Sequence, residues 1–243
     1  MQSGILTTAD HQQIHYDHYQ SGFDRVVIIV HGFFNSKDAI LLKKLSADLN
    51  KVYDVIIFDF RGHGKSSGLF YWTAKEHQDL EAVLEYAKSK YRKVGVIGFS
   101  LGAAISLITT VRTSKIDSLI SVSAPVDFLR IEYYFWQLDL YQDILYNTVG
   151  QGRIGKGIRP GPFWVRKERP IDIVDKIKIP VFYIHGQNDW LIKPQHSQAL
   201  YKNTNSYKKL TIIENGPHAE YLILTHKEIT VNLIKEWFQE TMS

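Results

Sequence analysis

The 243-residue sequence contains no cysteine, which excludes structural disulfides, thiolate nucleophiles and cysteine-held metal centres. It also lacks any apolar run long enough to read as a membrane-spanning helix. Its charge is close to balanced: 29 Lys and Arg against 25 Asp and Glu leave a net +4, too small an excess to argue for a nucleic-acid partner. The first residues, Met1-Gln2-Ser3-Gly4-Ile5-Leu6, have neither the basic start nor the apolar core of a signal peptide, so the expected location is cytoplasmic. Internal repeats, low-complexity tracts and linkers are missing as well. With 44% hydrophobic and 22% charged residues, residues 1–243 read as a single globular domain.

What is present alternates between two patterns. Arg25–Val30, Asp54–Asp59, Lys93–Ile97, Ser118–Val122 and Ile179–Ile184 are apolar, β-branched-rich runs, as expected of strands buried on both faces of a parallel sheet. Between them, apolar residues recur at helical spacing, as in Leu41, Leu42, Leu45 and Leu49, or Leu80, Val83, Leu84 and Ala87. The expected fold class is therefore α/β, a mostly parallel sheet flanked by helices. Gly4–Thr8 and Gln12–Tyr19, separated by a polar break, add an antiparallel pair at the N-terminal edge. Thr73 with Glu76 three residues on reads as a capping box opening a helix, and Ile171–Ile177 reads as a short helix. His11, His15 and His18 fall on that N-terminal pair. His11 and His15 stand about 13 Å apart on one face and His18 points to the other, so they read as exposed edge histidines rather than metal ligands.

One stretch breaks the alternation. Residues 126–170 are expected to form a small lid. Its first half is rich in aromatics, including Phe128, Tyr133 and Trp136, and its second half carries Arg153, Lys156, Arg159, Arg166, Lys167 and Arg169. The aromatic half, with Phe34 and Trp190, is the candidate wall of an apolar acyl pocket. The basic half reads as a solvated face.

In open α/β sheets the functional crevice lies beyond the carboxyl ends of the strands. Four polar sites fall there: the loop after His31, Ser100, Asp189 and His218. Ser100 sits in Gly98-Phe99-Ser100-Leu101-Gly102, between a strand pattern and a helix, where a sharp turn projects its hydroxyl above the sheet. A serine needs a base within reach and the base needs a carboxylate to fix its tautomer. His218 and Asp189 supply them, with Asp127 as the rival acid and His196 and His226 as rival bases on expected helices. The glycine-punctuated loop Phe60–Gly68 lacks the phosphate-binding G-x-x-x-x-G-K-[ST] pattern, so no nucleotide is expected. His31, His63 and His185 read as loop-positioning residues, and Arg61 as the partner of a carboxylate that shapes the oxyanion loop.

His31-Gly32-Phe33, Asp59-x-Arg61-Gly62-His63-Gly64-x-Ser66-x-Gly68, Gly98-x-Ser100-x-Gly102, His185-Gly186-x-x-Asp189 and Gly216-x-His218, in this order, resemble the α/β-hydrolase superfamily. Within it they are similar to carboxylesterases and to monoacylglycerol-lipase-like or serine-aminopeptidase-like hydrolases. The resemblance implies Ser100 as nucleophile, His218 as general base, Asp189 as orienting acid, and the Phe33 and Leu101 amides as the oxyanion hole. It implies no cofactor and no metal. The expected function is hydrolysis of small or medium acyl esters, the partner being the small-molecule ester itself. Thioesterase, lipase-like and peptidase or amidase activities share the same triad, and a non-catalytic ligand-binding protein is the alternative of another class.

Overall fold

The computed structural model describes residues 1–128 and 158–243. Strands β1 (Gln2–Thr7) and β2 (Gln13–Tyr19) form the antiparallel start. There follow β3 (Arg25–Val30), α1 (Ile40–Leu49), β4 (Asp54–Phe58), α2 (His77–Lys88), β5 (Lys93–Phe99), α3 (Leu101–Thr110) and β6 (Ser118–Val122). After the undescribed residues come two 3₁₀ turns, Pro170–Asp172 and Val174–Lys176, then β7 (Val181–Gly186), α4 (Gln195–Asn203) and β8 (Lys208–Ile213). A 3₁₀ turn (Ala219–Tyr221), the short α5 (Leu222–Thr225) and α6 (Lys227–Thr241) complete the described elements.

The eight strands make one sheet in the order β1-β2-β4-β3-β5-β6-β7-β8, antiparallel only at β1-β2 and β2-β4. This is the expected α/β architecture with its antiparallel edge. The continuous apolar runs are strands because each faces two layers. Val26, Ile28 and Val30 of β3 join Leu80, Val83 and Leu84 of α2 and Ile105 and Leu107 of α3. Val27 and Ile29 join Leu42, Leu45 and Leu49 of α1 and Ile234, Trp237 and Phe238 of α6 on the other face. Each such side chain, fully buried, contributes roughly 1.5–3 kcal/mol relative to exposure. Gly95 permits this approach: a Cβ there would lie 2.7 Å from the Phe238 ring.

Four expectations are corrected, two of them for His15 and His18. His18 is fully buried, not an exposed edge residue, because β2 lies between β1 and β4 rather than at the rim. Its ring nitrogens sit 3.0 Å from the Tyr86 hydroxyl and 2.6 Å from that of Tyr91, and burial lowers its pKa. His11 is exposed as expected and His15 is half-buried. Thr73 does not open a helix: α2 begins at His77, and Glu76 spends its carboxylate on the backbone amides of Tyr71 (2.6 Å) and Lys75 (3.3 Å) instead of a capping box. Ile171–Ile177 is a pair of 3₁₀ turns rather than one helix.

Most of the expected lid, including Tyr133, Trp136, Arg153 and Lys156, lies outside the described residues. Where description resumes, the chain is stitched to the loop after β4. The Phe70 amide donates to the Arg159 carbonyl (2.9 Å), the Arg159 amide to that of Gly62 (2.8 Å), and Gly161 to Phe70 (2.8 Å). No helix among the described residues is long and apolar enough to cross a membrane.

Candidate active site

Ser100 stands between the end of β5 and the start of α3 with φ 52° and ψ −115°, a left-handed conformation that costs a non-glycine residue on the order of 1–3 kcal/mol. Its surroundings enforce the turn. A Cβ on Gly98 would lie 2.5 Å from the Gly102 carbonyl oxygen, and one on Gly102 would lie 2.4 Å from that of His31. Only glycine lets strand and helix approach so closely. The Ser100 amide donates to the Val122 carbonyl at the end of β6 (2.8 Å), which fixes the elbow to the neighbouring strand. Ser100 is nearly buried, at 8% exposure.

Asp189 and His218 come together at the ends of β7 and β8. The His218 Nδ1–H donates to Asp189 Oδ2 at 2.7 Å. The other carboxylate oxygen accepts from the amides of Leu191 (3.0 Å) and Ile192 (2.8 Å). His185 places Nε2 3.2 Å from Asp189 Oδ2 and 2.7 Å from the Ile192 carbonyl, while its Nδ1 meets the Ser197 hydroxyl at 2.6 Å. Burial opposes a charge on Asp189, but the imidazoles of His218 and His185 and their hydrogen bonds outweigh it. The carboxyl is held well below its ordinary range. An ionised acid at Nδ1 leaves His218 Nε2 as the proton-accepting nitrogen.

The two loops are locked in register. Gly186 lies under the His218 loop, where a Cβ would sit 2.2 Å from the Pro217 carbonyl, and Asn188 donates its amide to Gly216 (2.8 Å). Ser123, at φ 52° just beyond β6, accepts from the Ala219 amide (3.2 Å) and donates its own amide to Ile184 (2.9 Å). The strand that anchors Ser100 through Val122 thus also anchors the residue after His218.

Phe33 and Leu101, the expected oxyanion donors, flank the elbow from two sides. Leu101 is the first residue of α3, where an amide has no intrahelical acceptor. Gly32 brings the Phe33 loop against Ser100, for a Cβ on it would lie 3.3 Å from the Ser100 Cβ. His31 shapes that loop: its Nδ1–H meets the Gly32 carbonyl (2.7 Å) and its Nε2 accepts from the Phe60 amide (3.1 Å). Asp59 adds a second tie, accepting from the amides of Lys37 (2.8 Å) and Lys65 (2.9 Å). Arg61, 1% exposed, pairs with Asp79 (2.7 Å) and Asp10 (2.7 Å). Burial opposes its charge, and these two carboxylates keep it protonated. It pairs with carboxylates as expected, but these lie on α2 and in the turn between β1 and β2, and they brace the loop after β4 rather than the loop of Phe33.

Of the pocket candidates, Phe34 (φ 55°) packs on Phe33 with ring centroids 4.6 Å apart, and Phe128 lies 6.4 Å from Phe33. Trp190 is half-buried on the loop after Asp189. Tyr133 and Trp136 lie outside the described residues. The rival acid Asp127 faces Arg169 (3.8 Å), and the rival base His196 accepts from the Val126 amide (3.1 Å).

Sequence reading missed several neighbours. Phe70 and Trp72 extend the aromatic wall, 5.5 and 5.6 Å from Phe33. Asn35 and Glu220, both buried, join the Phe33 loop to the His218 loop through a hydrogen bond from the Asn35 amide to the Glu220 carboxylate. An acidic residue two positions from a candidate base was the available signal, but its partner is 185 residues away.

Residues 25–144, which hold strands β3 to β6, match the family described as the α/β hydrolase fold. The chain has the α/β-hydrolase fold. It is 30% identical over 213 residues to the uncharacterized protein YqkD of Bacillus subtilis, the match covering 79% of this chain and 64% of that protein. The uncharacterized hydrolase YugF of the same bacterium is 28% identical over 126 residues, 51% of this chain and 45% of its own length. The chain therefore spans less than two thirds of either curated relative. Among solved structures, the Pyrococcus furiosus esterase Pf2001 superposes with a TM-score of 0.81 at 24% identity, covering 100% of this chain and 93% of its own.

Proposed function

We propose that this chain hydrolyses carboxylic esters of small or medium acyl chains through a Ser100–His218–Asp189 triad. The observation that carries the reading is the 2.7 Å bond between His218 Nδ1 and the buried Asp189, at the same end of the sheet as the strained Ser100 elbow. That several fold neighbours, Pf2001 among them, are esterases supports it. In the proposed reaction the Ser100 Oγ attacks the ester carbonyl carbon and its proton passes to His218 Nε2. The Phe33 and Leu101 amides stabilise the oxyanion, each donor being worth on the order of 3 kcal/mol of barrier. His218 returns the proton to the departing alcohol, then deprotonates the water that releases the acid and regenerates Ser100. The aromatic wall of Phe33, Phe34 and Phe128 favours an apolar acyl group over a charged one.

Fluorophosphonate labelling followed by peptide mapping tests this directly. A single adduct on Ser100, absent from Ser100→Ala, is the expected result. An unlabelled, well-folded wild-type protein that also fails to turn over a panel of esters would defeat the proposal.

A further inference from the structure

On the side of the molecule formed by the start of α2, the end of α3 and the two 3₁₀ turns lies a half-open cavity of about 590 Å³. Thr73 and His77 line it from one segment, Arg112 from a second, and Arg166, Arg169 and Lys176 from a third. With Lys167 it gathers five cationic side chains against the carboxylates of Glu168 and Asp172. The carboxylates are already engaged: Glu168 pairs with Arg112 (2.9 Å) and Asp172 with Arg169 (2.5 Å). Lys167 turns to the Val165 carbonyl (3.2 Å). Arg166 and Lys176 have no ion-pair partner among the described residues. Two uncommitted cations thus share a concavity held in place by a neutralised rim.

A second observation comes from the cavity wall. Thr73 is 3% exposed and its hydroxyl has no hydrogen-bond partner among the described residues, whereas buried hydroxyls are ordinarily satisfied. The residue sits at φ 81°, unfavourable for a β-branched side chain. Thr73 lines the same cavity as the two unpaired cations, and a multi-oxygen anion would complete this set of donors.

We propose that this cavity binds a phosphoryl-bearing anion, with Arg166, Lys176 and the Thr73 hydroxyl as its donors. A phosphoryl dianion matches two free cations in charge, and its oxygens would accept from a guanidinium and an ammonium of one segment and a hydroxyl of another that line the same cavity. The cavity is far larger than one phosphate, so the ligand carries a further moiety. Its source is either a soluble phosphorylated molecule or a phospholipid headgroup. Trp164, 85% exposed, and Phe163, 51% exposed, lie two and three residues before Arg166, which makes the lipid source concrete. The site is independent of the hydrolytic reading.

The test uses the full chain at about physiological salt, where diffuse charge attraction is screened. Pyrophosphate is titrated calorimetrically, and co-sedimentation is measured with phosphatidylcholine vesicles with and without phosphatidic acid. The probe variant is Arg166→Ala with Lys176→Ala, both exposed positions whose folding circular dichroism verifies. The charge-matched control is Lys44→Ala with Lys202→Ala, exposed and not among the residues that line the cavity. Saturable binding of pyrophosphate, of phosphatidic acid vesicles or of both, weakened at least tenfold in the probe variant and unchanged in the control, is expected. The arm that responds identifies the source. Absence of saturable binding in both arms, or equal weakening in the control, overturns the site.

Discussion

At the scale of single residues, the candidate site depends on a carboxylate held ionised in a place that disfavours charge. Asp189 is 1% exposed and faces two imidazoles and two backbone amides. Its folded pKa is depressed below the ordinary 3.8, so the stabilisation it brings is complete above that value and is lost as pH falls through it toward the depressed one. Activity follows another group. Asp189 stays ionised throughout the mildly acidic range, so the acid limb of the proposed esterase's kcat/KM profile should report imidazole protonation at His218, with rates rising as pH rises. A pH–rate series on an ester whose own ionisation is silent checks this; a limb in the carboxylate range would contradict it. Asp189→Asn keeps the shape of the side chain but presents Nδ1 with the wrong partner. The expected loss is about 10⁴-fold in kcat with little change in KM, measured beside a thermal melt that confirms folding.

At the scale of elements, the site is assembled by close approaches and ties between loops. Gly98→Ala would place a methyl 2.5 Å from the Gly102 carbonyl and 2.6 Å from the Ala103 Cα, backbone atoms that cannot step aside alone. Overpacking of this kind costs about 1–3 kcal/mol, and here it displaces Ser100. Urea unfolding should show the destabilisation, and ester turnover should fall more steeply than stability. The Asn35–Glu220 bond is a tie of the second sort. Glu220→Ala frees the Phe33 loop from the His218 loop and leaves a buried amide unpaired. Because bonds to charged groups are worth about 1.5–3 kcal/mol, kcat should drop roughly tenfold or more while KM changes little, and Glu220→Gln should recover part of the loss. Equal activity in both variants would remove the tie from the site. These elements also mark what was legible in the chain. Strands such as Asp54–Phe58 were readable because both faces are apolar and buried, and the elbow because its glycines are spaced by its own geometry. The start of α2 was not, since the Tyr71 and Lys75 amides compete for the Glu76 carboxylate. His18 was misread because its partners Tyr86 and Tyr91 arrive from another element, 68 and 73 residues on. Asn35 and Glu220 meet only because β3 and β8 end on one side of the sheet. Local pattern records what a residue prefers, and distant partners decide against it wherever burial is complete.

At the scale of the whole molecule, the sheet is graded in burial and the candidate site spans the gradient. Strand β5, which ends at the elbow, is buried at every position but its first, with β3 and β6 as neighbours. Strand β8, which leads to the His218 loop, is the last strand of the sheet, and only Ile213 in it is fully buried. The opposite rim, β1, has no fully buried residue. Free energies of local opening follow buried contact and range from near zero at rims to the global value in cores. Amide exchange should therefore be slowest in β3 and β5, requiring near-global unfolding, and measurably faster in β1 and β8. The consequence for function is an uncoupling. Ser100 follows one of the buried central strands, while the base and the loop that carries it follow one of the least buried. Under rising urea, opening of β8 and its loop should abolish ester turnover before the far-UV circular dichroism transition, although the Ser100 elbow still stands on an intact β5. Activity, exchange protection in β8 and ellipticity followed in one urea series read this directly. Coincidence of all three transitions would mean that Gly186 and Ser123 clamp β8 and the His218 loop into the central core as one cooperative unit, and that the site has no weak side.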